Sequence, residues 1–492
     1  MGVGPARMSG ELKDVSALGR ESSWEGVRAV VAGFGISGFA AADTLTHLGA
    51  SVIAVDESEG DRERREKATL LQILGADVRL GEGATATLPD DVDLVVTSPG
   101  WRPDTPMLVQ AAERGVPVWG DVELAWRLRG PDAAPWLVVT GTNGKTTTVR
   151  MLESILQAAG LRARAVGNVG TPVLEAVMDP AGYDVLAVEL SSFQLHWTTS
   201  MSAESAAVLN IAPDHYDWHG GAEAYAAAKG RAYEHVQRAC VYNVADPETR
   251  RLVEEADVVE GARAIGFTLG IPGLSELGVV DGLLADRAFV ENRAEQAAEL
   301  GSVRDLYSDA PHVVANALAA AALARAHGVE PKAVRDGLRA FRPGPHRVAD
   351  VGSIGGVRYV DDSKATNTHA ALASLRSVPR AVWIAGGLAK GQTFDDLVTE
   401  ARDRLRAVVL IGRDRAIIAD ALTRHAPEVP VVEVETGQDD LMDRVVEVAS
   451  SLADAGDTVL LAPGCASMDQ FTDYAHRGEA FTDAVRRLAE RA

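Results

Sequence analysis

Leu137-Val-Val-Thr-Gly-Thr-Asn-Gly-Lys-Thr-Thr-Thr148 decides the fold around it. Trp136 to Val139 is a short apolar run of the kind that forms a buried strand. Met151, Leu152, Ile155 and Leu156 recur at the spacing of one helix face. A glycine-bearing turn joins the two, so the stretch predicts strand, loop, helix. That unit turns backbone N–H groups and a helix N-terminus toward an anion. Gly141 and Gly144 let the backbone approach a phosphate closely. Lys145 can reach the outer phosphates of a nucleotide, and Thr146 can offer its hydroxyl to Mg²⁺. The full nucleotide-loop pattern has four residues between its glycines. Here the first of those glycines would fall at Val139, so the loop is a shortened one.

Composition bounds the rest. A chain of 492 residues implies about three domains, and 47% apolar with 24% charged residues are globular values. A net charge of −22 disfavours nucleic acid or an anionic membrane as partner. Any anionic ligand must then be held by glycine loops, local cations and metal. Two distant cysteines, Cys240 and Cys465, rule out a disulfide framework and a cysteine-rich metal site, and suit a reducing compartment. No apolar run approaches a membrane span, so no membrane insertion is expected. Residues 1–26 lack the apolar core of a secretory signal and read as a flexible extension. The expected location is the cytoplasm.

Working outward toward the N-terminus, Val27 to Ala32 is a strand that runs into Gly33-Phe-Gly-Ile-Ser-Gly38. An alanine-rich helix and a second strand, Ser51 to Val55, follow, ending at Asp56. This is a nucleotide-binding βαβ unit, which taken alone points to a dinucleotide. Further strands are expected at Val92–Val96, ending in Thr97-Ser-Pro-Gly100, and at Pro117–Trp119, before a helix near Val122. Gly130-Pro-Asp-Ala-Ala-Pro135 is a linker, which places the first domain at 1–131.

In the second domain, 132–343, Gly167-Asn168 follows a short apolar run. Asp184–Leu190 is a strand with Glu189 at its carboxyl end, and Ser191, Ser192 and Gln194 come next. Ala206–Ile211 leads into Pro213-Asp-His215. Parallel α/β sheets gather ligands outside the carboxyl ends of their strands. Thr146, Glu189 and His215 therefore form a credible hard-metal set. Ala222 to Ala239 reads as one helix, whose Lys229 composition alone would leave as a solvated surface group. Hairpins are expected between Gly270 and Gly282. The helix from Pro311 carries His312 and Asn316 four apart on one face, where a ligand role and plain hydrogen bonding are equally open.

Phe341-Arg-Pro-Gly-Pro-His-Arg347 is a linker, and 344–492 reads as a third α/β unit. Its strands at Val357–Val360, Ala381–Ala385, Ala407–Ile411 and Thr458–Ala462 are followed by polar turns holding Lys364, Lys390 and Ser467. The overall class is α/β with three domains, the outer two Rossmann-like and the central one a phosphate-loop ATPase-like parallel sheet. An ATP loop with Mg²⁺ ligands, plus a second nucleotide-type loop, describes a kinase or an ATP-dependent ligase with a nucleotide-bearing second substrate.

Seven segments carry a more specific resemblance: Gly141-Thr-Asn-Gly-Lys-Thr146, Glu189-Leu-Ser-Ser-Phe-Gln194, Asp214-His215, Ala227-Ala-Lys-Gly-Arg231, Pro345-His-Arg347, Asp362-Ser-Lys-Ala-Thr-Asn367 and Cys465-Ala-Ser-Met-Asp-Gln-Phe471. In order and spacing the chain resembles the Mur ligase family, and the second, sixth and seventh segments resemble its D-glutamate-adding branch. The resemblance implies a ligase that adds D-glutamate to UDP-N-acetylmuramoyl-L-alanine in peptidoglycan precursor synthesis, through an acyl phosphate. Its partners would be ATP, that acceptor and D-glutamate, and the protein would be a monomer.

The resemblance also implies residue roles. ATP would be held by Gly141, Thr142, Asn143, Gly144, Lys145, Thr146 and Thr147, with Asn316, His346, Arg347 and Asp362 around adenosine and phosphates. Thr146 and Glu189 would hold one Mg²⁺; His215 and Lys229 would serve a second, with Lys229 as a CO₂-derived carbamate. The loop with Gly35, Ile36, Ser37 and Gly38, together with Asp56 and Ser98, would hold the uridine diphosphate instead of NAD. Asn168, Ser191 and Gln194 would read the sugar and peptide end. Lys364, Thr366, Lys390, Ser467, Met468 and Tyr474 would line the D-glutamate pocket, with Lys145, His215, Lys229 and Lys364 as the catalytic set. Glu57 and Ser58 stand where some members have Thr-Arg, and Val313 stands where some have asparagine. The alternatives are another ligase of the superfamily, including the folylpolyglutamate type, and a non-ligase such as an NAD-dependent dehydrogenase.

Overall fold

The structure, a computed structural model, describes residues 13–434 and 440–491. Three sheets form. The first contains β1 (Arg28–Ala32), β2 (Ser51–Asp56), β3 (Asp77–Leu80), β4 (Leu94–Thr97) and β5 (Val118–Gly120), in the order β3-β2-β1-β4-β5 and wholly parallel. The strand order reverses between β1 and β4. The crevice at that switch point is flanked by the Gly33 turn and by Ser98, which is where such sheets bind ligands.

The second sheet contains β6 (Trp136–Thr140), β7 (Ala163–Gly167), β8 (Val185–Glu189), β9 (Ser205–Val208), β10 (Ala239–Asn243), β11 (Arg263–Phe267), β12 (Glu276–Val280), β13 (Leu283–Asp286) and β14 (Ala298–Ser302). Their order is β14-β13-β12-β11-β10-β9-β6-β8-β7, antiparallel only through β12, β13 and β14. The glycine-rich stretch expected to form hairpins supplies the turn between β12 and β13 at the sheet's antiparallel edge. The third sheet contains β15 (Ala349–Ile354), β16 (Val357–Asp361), β17 (Ala381–Gly386), β18 (Leu405–Ile411), β19 (Val431–Glu433) and β20 (Thr458–Leu461). It runs β15-β16-β20-β17-β18-β19, and only β15 is antiparallel. Strands such as β6, β8 and β17 are buried along their whole length. That is why they read as unbroken apolar runs and not as alternating ones.

The described chain divides into two compact units. One runs up to Ile211 and from Tyr216 to Phe341; the other joins Ala212–His215 to the residues from Arg342 onward. Within the first unit the two sheets share a hydrophobic core, in which Trp119, Val122 and Leu128 join Trp136, Leu186 and Leu195.

Two expectations are corrected. Residues 13–26 are not a flexible extension. Val15 and Trp24 belong to that shared core, Trp24 Nε1 donates to the Gly19 carbonyl at 3.0 Å, and the Lys13 amide donates to buried Asp93 at 2.8 Å. Burial of the Trp24 indole and Val15, with these hydrogen bonds, holds the segment against the first unit. Residues 1–12 of the expected extension lie outside the described residues. The single helix expected over 222–239 is also too long. It ends at Gly230, a short 3₁₀ turn covers Arg231–Tyr233, and β10 begins at Ala239. The buried Tyr233 hydroxyl donates to the Val241 carbonyl at 2.6 Å and accepts from the Val208 amide at 3.2 Å, and so ties the chain to the sheet. Tertiary bonds at one tyrosine here override helix propensity.

Candidate active site

Gly144, at φ +85°, is the N-cap of the helix Lys145–Ala158, and Gly141 has φ +146°. A side chain at Gly144 would place its Cβ 2.4 Å from the Asn316 Oδ1, so the loop needs glycine for both conformation and space. The helix from Pro311 thus brings Asn316, buried, against the phosphate loop. His312 lies one turn earlier on the same helix. Lys145 Nζ donates to the Gly141 and Thr142 carbonyls at 2.9 Å each, folded over the loop that it would leave to meet a phosphate.

Asn210, a residue not singled out from sequence, shapes this loop. Its Oδ1 accepts from the Asn143 amide at 2.9 Å and its Nδ2 donates to the Asn143 carbonyl at 3.1 Å. The signal was present: a polar side chain just past an apolar strand, the pattern that picked out Glu189.

β8 lies directly beside β6, with Glu189 opposite Val139. Glu189 is 1% exposed. Its Oε1 accepts from Asn168 Nδ2 at 2.9 Å, while Oε2 is buried with no hydrogen-bond partner. Lys229 is 2% exposed. Its Nζ donates to the Gly141 carbonyl at 2.8 Å and lies 4.8 Å from the centre of the Tyr225 ring, whose hydroxyl bonds Thr142 at 2.9 Å. The lysine that composition left as a surface group is therefore under the phosphate loop. Among the described residues no cluster of three or more His, Cys, Asp and Glu could hold a metal. A Mg²⁺ site built from one carboxylate, one hydroxyl, phosphate oxygens and water needs none, and the orphaned Glu189 Oε2 fits one.

At the first sheet, the Asp56 carboxylate accepts from the Phe34 amide at 2.7 Å and the Ser58 amide at 2.9 Å, and Arg64 lies 3.5 Å away. Asp56 thus orders the glycine loop and pairs with Arg64. Ser98 Oγ donates to the Gly33 carbonyl at 3.2 Å, and Ile36 is largely exposed beside Gly35, Ser37 and Gly38 at the start of the following helix. Ser191 caps the short helix Ser192–His196 in a box closed by Gln194.

In the second unit, His215 has φ +52° and its Nε2 lies 3.5 Å from Asp214. His346 Nδ1 lies 2.6 Å from Asp361. Asp362 accepts from the Val348 amide at 3.2 Å and from the Ser374 hydroxyl. Burial pushes its carboxyl up to about 6, against the pull of those bonds and of Arg347. The turns after β16, β17 and β20 carry Lys364 and Thr366, Lys390, and Ser467 and Met468 to one edge of the sheet. Leu388 and Ala466 bridge two of these turns. Lys364 Nζ sits 3.7 Å from the centre of the Tyr474 ring.

Arg477, also not singled out from sequence, lies under these turns, 1% exposed. It donates to Ser363 Oγ and the Ser363 carbonyl at 2.9 Å each, and to the Cys465 carbonyl at 3.1 and 3.2 Å. Burial lowers its guanidinium to about 10. Cys465 and Cys240 are free thiols, each pushed up to about 12 by burial, and neither is a nucleophile. Among the described residues no helix is long and apolar enough to cross a membrane.

Comparison with known proteins gives the family. Residues 27–120 match the model of the Mur ligase MurD-like N-terminal domain. Residues 139–272 match the Mur ligase middle domain, and 346–465 the Mur ligase glutamate ligase domain. The UDP-N-acetylmuramoylalanine--D-glutamate ligase of Streptomyces avermitilis is 62% identical over 467 residues, covering 95% of this chain and 99% of its own. The protein of the same name from Thermobifida fusca is 57% identical over 466 residues, covering 94% and 99%. The fold is like that of a UDP-N-acetylmuramate-alanine ligase from Thermotoga maritima, at TM-score 0.55 and 19% identity, covering 94% of this chain and 99% of that one. With three domain models in register and relatives this similar over nearly the whole chain, the protein belongs to the Mur ligase family.

Proposed function

We propose that this protein is an ATP-dependent ligase that joins D-glutamate to UDP-N-acetylmuramoyl-L-alanine during synthesis of peptidoglycan precursors. The observation that carries the reading is the buried, half-unpartnered Glu189 carboxylate beside a phosphate loop over which Lys145 is folded onto the Gly141 and Thr142 carbonyls. The near-identity in length to relatives of that activity supports it.

A carboxylate is a poor acyl donor, so it must first gain a leaving group. An oxygen of the alanyl carboxylate attacks the γ-phosphorus of ATP, the bond to the β,γ-bridging oxygen breaks, and ADP leaves. The amine of D-glutamate then attacks the acyl-phosphate carbonyl, an amide forms, the amine loses a proton and phosphate leaves. Both steps gather negative charge, so catalysis rests on positioning and electrostatics.

Lys145 would swing from the loop carbonyls to the γ-phosphate, and the amides of Gly141–Thr147 would cradle the remaining phosphates. Thr146 and Glu189 would hold one Mg²⁺, and His215 and Lys229 would serve a second. Bound there, the metal neutralises phosphate charge. Lysine as a cation cannot ligate Mg²⁺; a carbamate formed from CO₂ and the Lys229 amine, with loss of a proton, would supply an anionic oxygen. Asn316, His346, Arg347 and Asp362 would surround the adenosine and phosphates. Gly35, Ile36, Ser37, Gly38, Asp56 and Ser98 would hold the uridine diphosphate, and Asn168, Ser191 and Gln194 the sugar and peptide. Lys364 and Lys390, with Thr366, Ser467, Met468 and Tyr474, would receive the dicarboxylate. No step needs a second copy of the chain, and a monomer in the cytoplasm is the expected form.

The test is phosphate release with ATP and Mg²⁺, omitting the acceptor and D-glutamate in turn. Release that needs both supports the reading. Release that is indifferent to D-glutamate, or turnover with another amino acid in its place, refutes it.

A further inference from the structure

The short helix Asp121–Arg127 closes the first sheet and packs on the segment that follows β8. The two chains meet closely there: the Gly120 amide donates to the Trp197 carbonyl at 3.2 Å, and a Cβ at Gly120 would fall 2.8 Å from Trp197 Cβ. The helix sends two buried acids into this seam, and their environments differ. Glu123 accepts from the Thr199 amide at 2.8 Å, the Ser200 amide at 2.9 Å, and Ser200 Oγ and Arg127 Nε at 2.6 Å each. It is a fully satisfied acceptor and accounts for the docking.

Asp121, two residues earlier, has one long bond, from Gln194 Nε2 to Oδ2 at 3.3 Å, and its buried Oδ1 has no partner. Burial pushes its carboxyl above the usual range, offset only in part by the Ser37 hydroxyl, the Gln194 amide and the backbone amides of Val122 and Asp121 itself. A seam that only had to hold together would not keep an under-bonded acid beside a saturated one. Asp121 stands between two sheets: its helix packs on the one that carries Ser37, and its carboxylate is bonded by Gln194. Ser37 lies in the first turn of the helix Ile36–His47 that follows β1. Gln194 has its Oε1 committed to the Ser191 amide at 3.1 Å, which fixes its Nε2 toward Asp121.

We propose that Asp121 is a positioning residue for the nucleotide-sugar acceptor, holding Gln194 after β8 in register with Ser37 at the start of the helix after β1, so that both reach their acceptor-bound arrangement together. The proposal rests on the reading that Ser37 and Gln194 contact that acceptor. Asp121 itself touches no substrate. It sets the direction of Gln194 relative to Ser37, from a point where the diphosphate and peptide ends of one ligand must be read in register.

The experiment uses the full chain and the variants Asp121→Ala, Asp121→Asn and Glu123→Gln. KM is measured for the acceptor, ATP and D-glutamate, with acceptor binding without ATP by calorimetry, and Tm. Asp121→Ala should raise the acceptor KM and Kd about tenfold, the worth of one buried hydrogen bond, and leave the other two KM values within about twofold. Asp121→Asn keeps an acceptor for Gln194 and a polar group for Ser37, and should stay within about threefold of wild type. Glu123→Gln should lower Tm without moving the acceptor KM. Should the alanine variant melt early, Asp121→Leu fills the volume without polar atoms and gives the same reading. An unchanged acceptor KM and Kd, an equal rise for all three substrates, or an asparagine variant as impaired as alanine overturns the proposal. Wild-type phosphate release that ignores D-glutamate would remove the ligase reading instead, whatever the variants do.

Discussion

Removing the Glu123 carboxylate tests how the two sheets of the first unit are held together. Glu123 is 0% exposed, and its two oxygens take four donors, two of them backbone amides of Thr199 and Ser200. Glu123→Ala strands those amides and leaves Arg127 beside a hole. Hydrogen bonds to a charged acceptor contribute about 1.5–3 kcal/mol each and do not add fully. Breaking a buried ion pair from one side costs about 3–5 kcal/mol. Arg127 is 19% exposed at its side chain, so water recovers part of the loss. The expected cost is about 4 kcal/mol for alanine. For Glu123→Gln it is about 2 kcal/mol, because the amide oxygen still serves the two backbone donors while its nitrogen faces Arg127.

Seven of the eight tryptophans lie in the first unit, with Trp383 alone in the second, so urea unfolding followed by tryptophan fluorescence reports on the first unit. The pH dependence gives a second check. Burial raises the Glu123 carboxyl, but the bonds from Ser200, Thr199 and Arg127 outweigh it and hold the group below its ordinary 4.5. A depressed folded pKa stabilises above the unfolded value and loses that contribution as pH falls through the folded one. The gap between wild type and Glu123→Gln should be full above pH 4.5 and shrink in more acidic buffer. An alanine variant within about 1 kcal/mol of wild type, or a gap that widens in acid, would refute this account of the seam.

Glu189→Gln should abolish acceptor-dependent phosphate release without lowering Tm, since it replaces a buried carboxylate oxygen that has no partner; an active variant removes Glu189 from the metal site. Gly144→Ala would put a Cβ 2.4 Å from Asn316 Oδ1 at φ +85°, and should raise the KM for ATP at least about tenfold; unchanged nucleotide affinity would mean that the loop opens elsewhere. Lys229→Ala should lose activity that short added carboxylates partly restore, and a ¹³C label from CO₂ should appear on wild type but not on the variant; full activity in the plain variant removes the carbamate. Asp362 titrates near 6 folded against 3.8 unfolded, so the folded state holds its proton more tightly and wild-type stability should fall as pH rises between those values. Asp362→Asn should lack that fall and gain about 3 kcal/mol on wild type above it by calorimetry; a pH-independent difference refutes the shift.

Whatever is local along the chain can be read from its residues. The phosphate loop is legible because its strand, glycines, lysine and helix are contiguous. Glu189 and the turns after β16, β17 and β20 are legible because a polar group at the end of an apolar run marks a sheet edge. Only tertiary structure decided what depends on partners far apart in sequence. Trp24 looked like part of a frayed end until the shared core closed around it. Tyr233 stopped a helix through bonds to two strands. Arg477, inside an ordinary helical pattern, reaches turns more than a hundred residues away at Ser363. Asp121 and Glu123 are two acids on one short helix, and the neighbour along the chain that favours Glu123, Arg127, supplies only one of its four donors. Their difference lies in donors supplied by residues 194 to 200, because hydrogen-bond satisfaction is set by what burial brings near and not by sequence position.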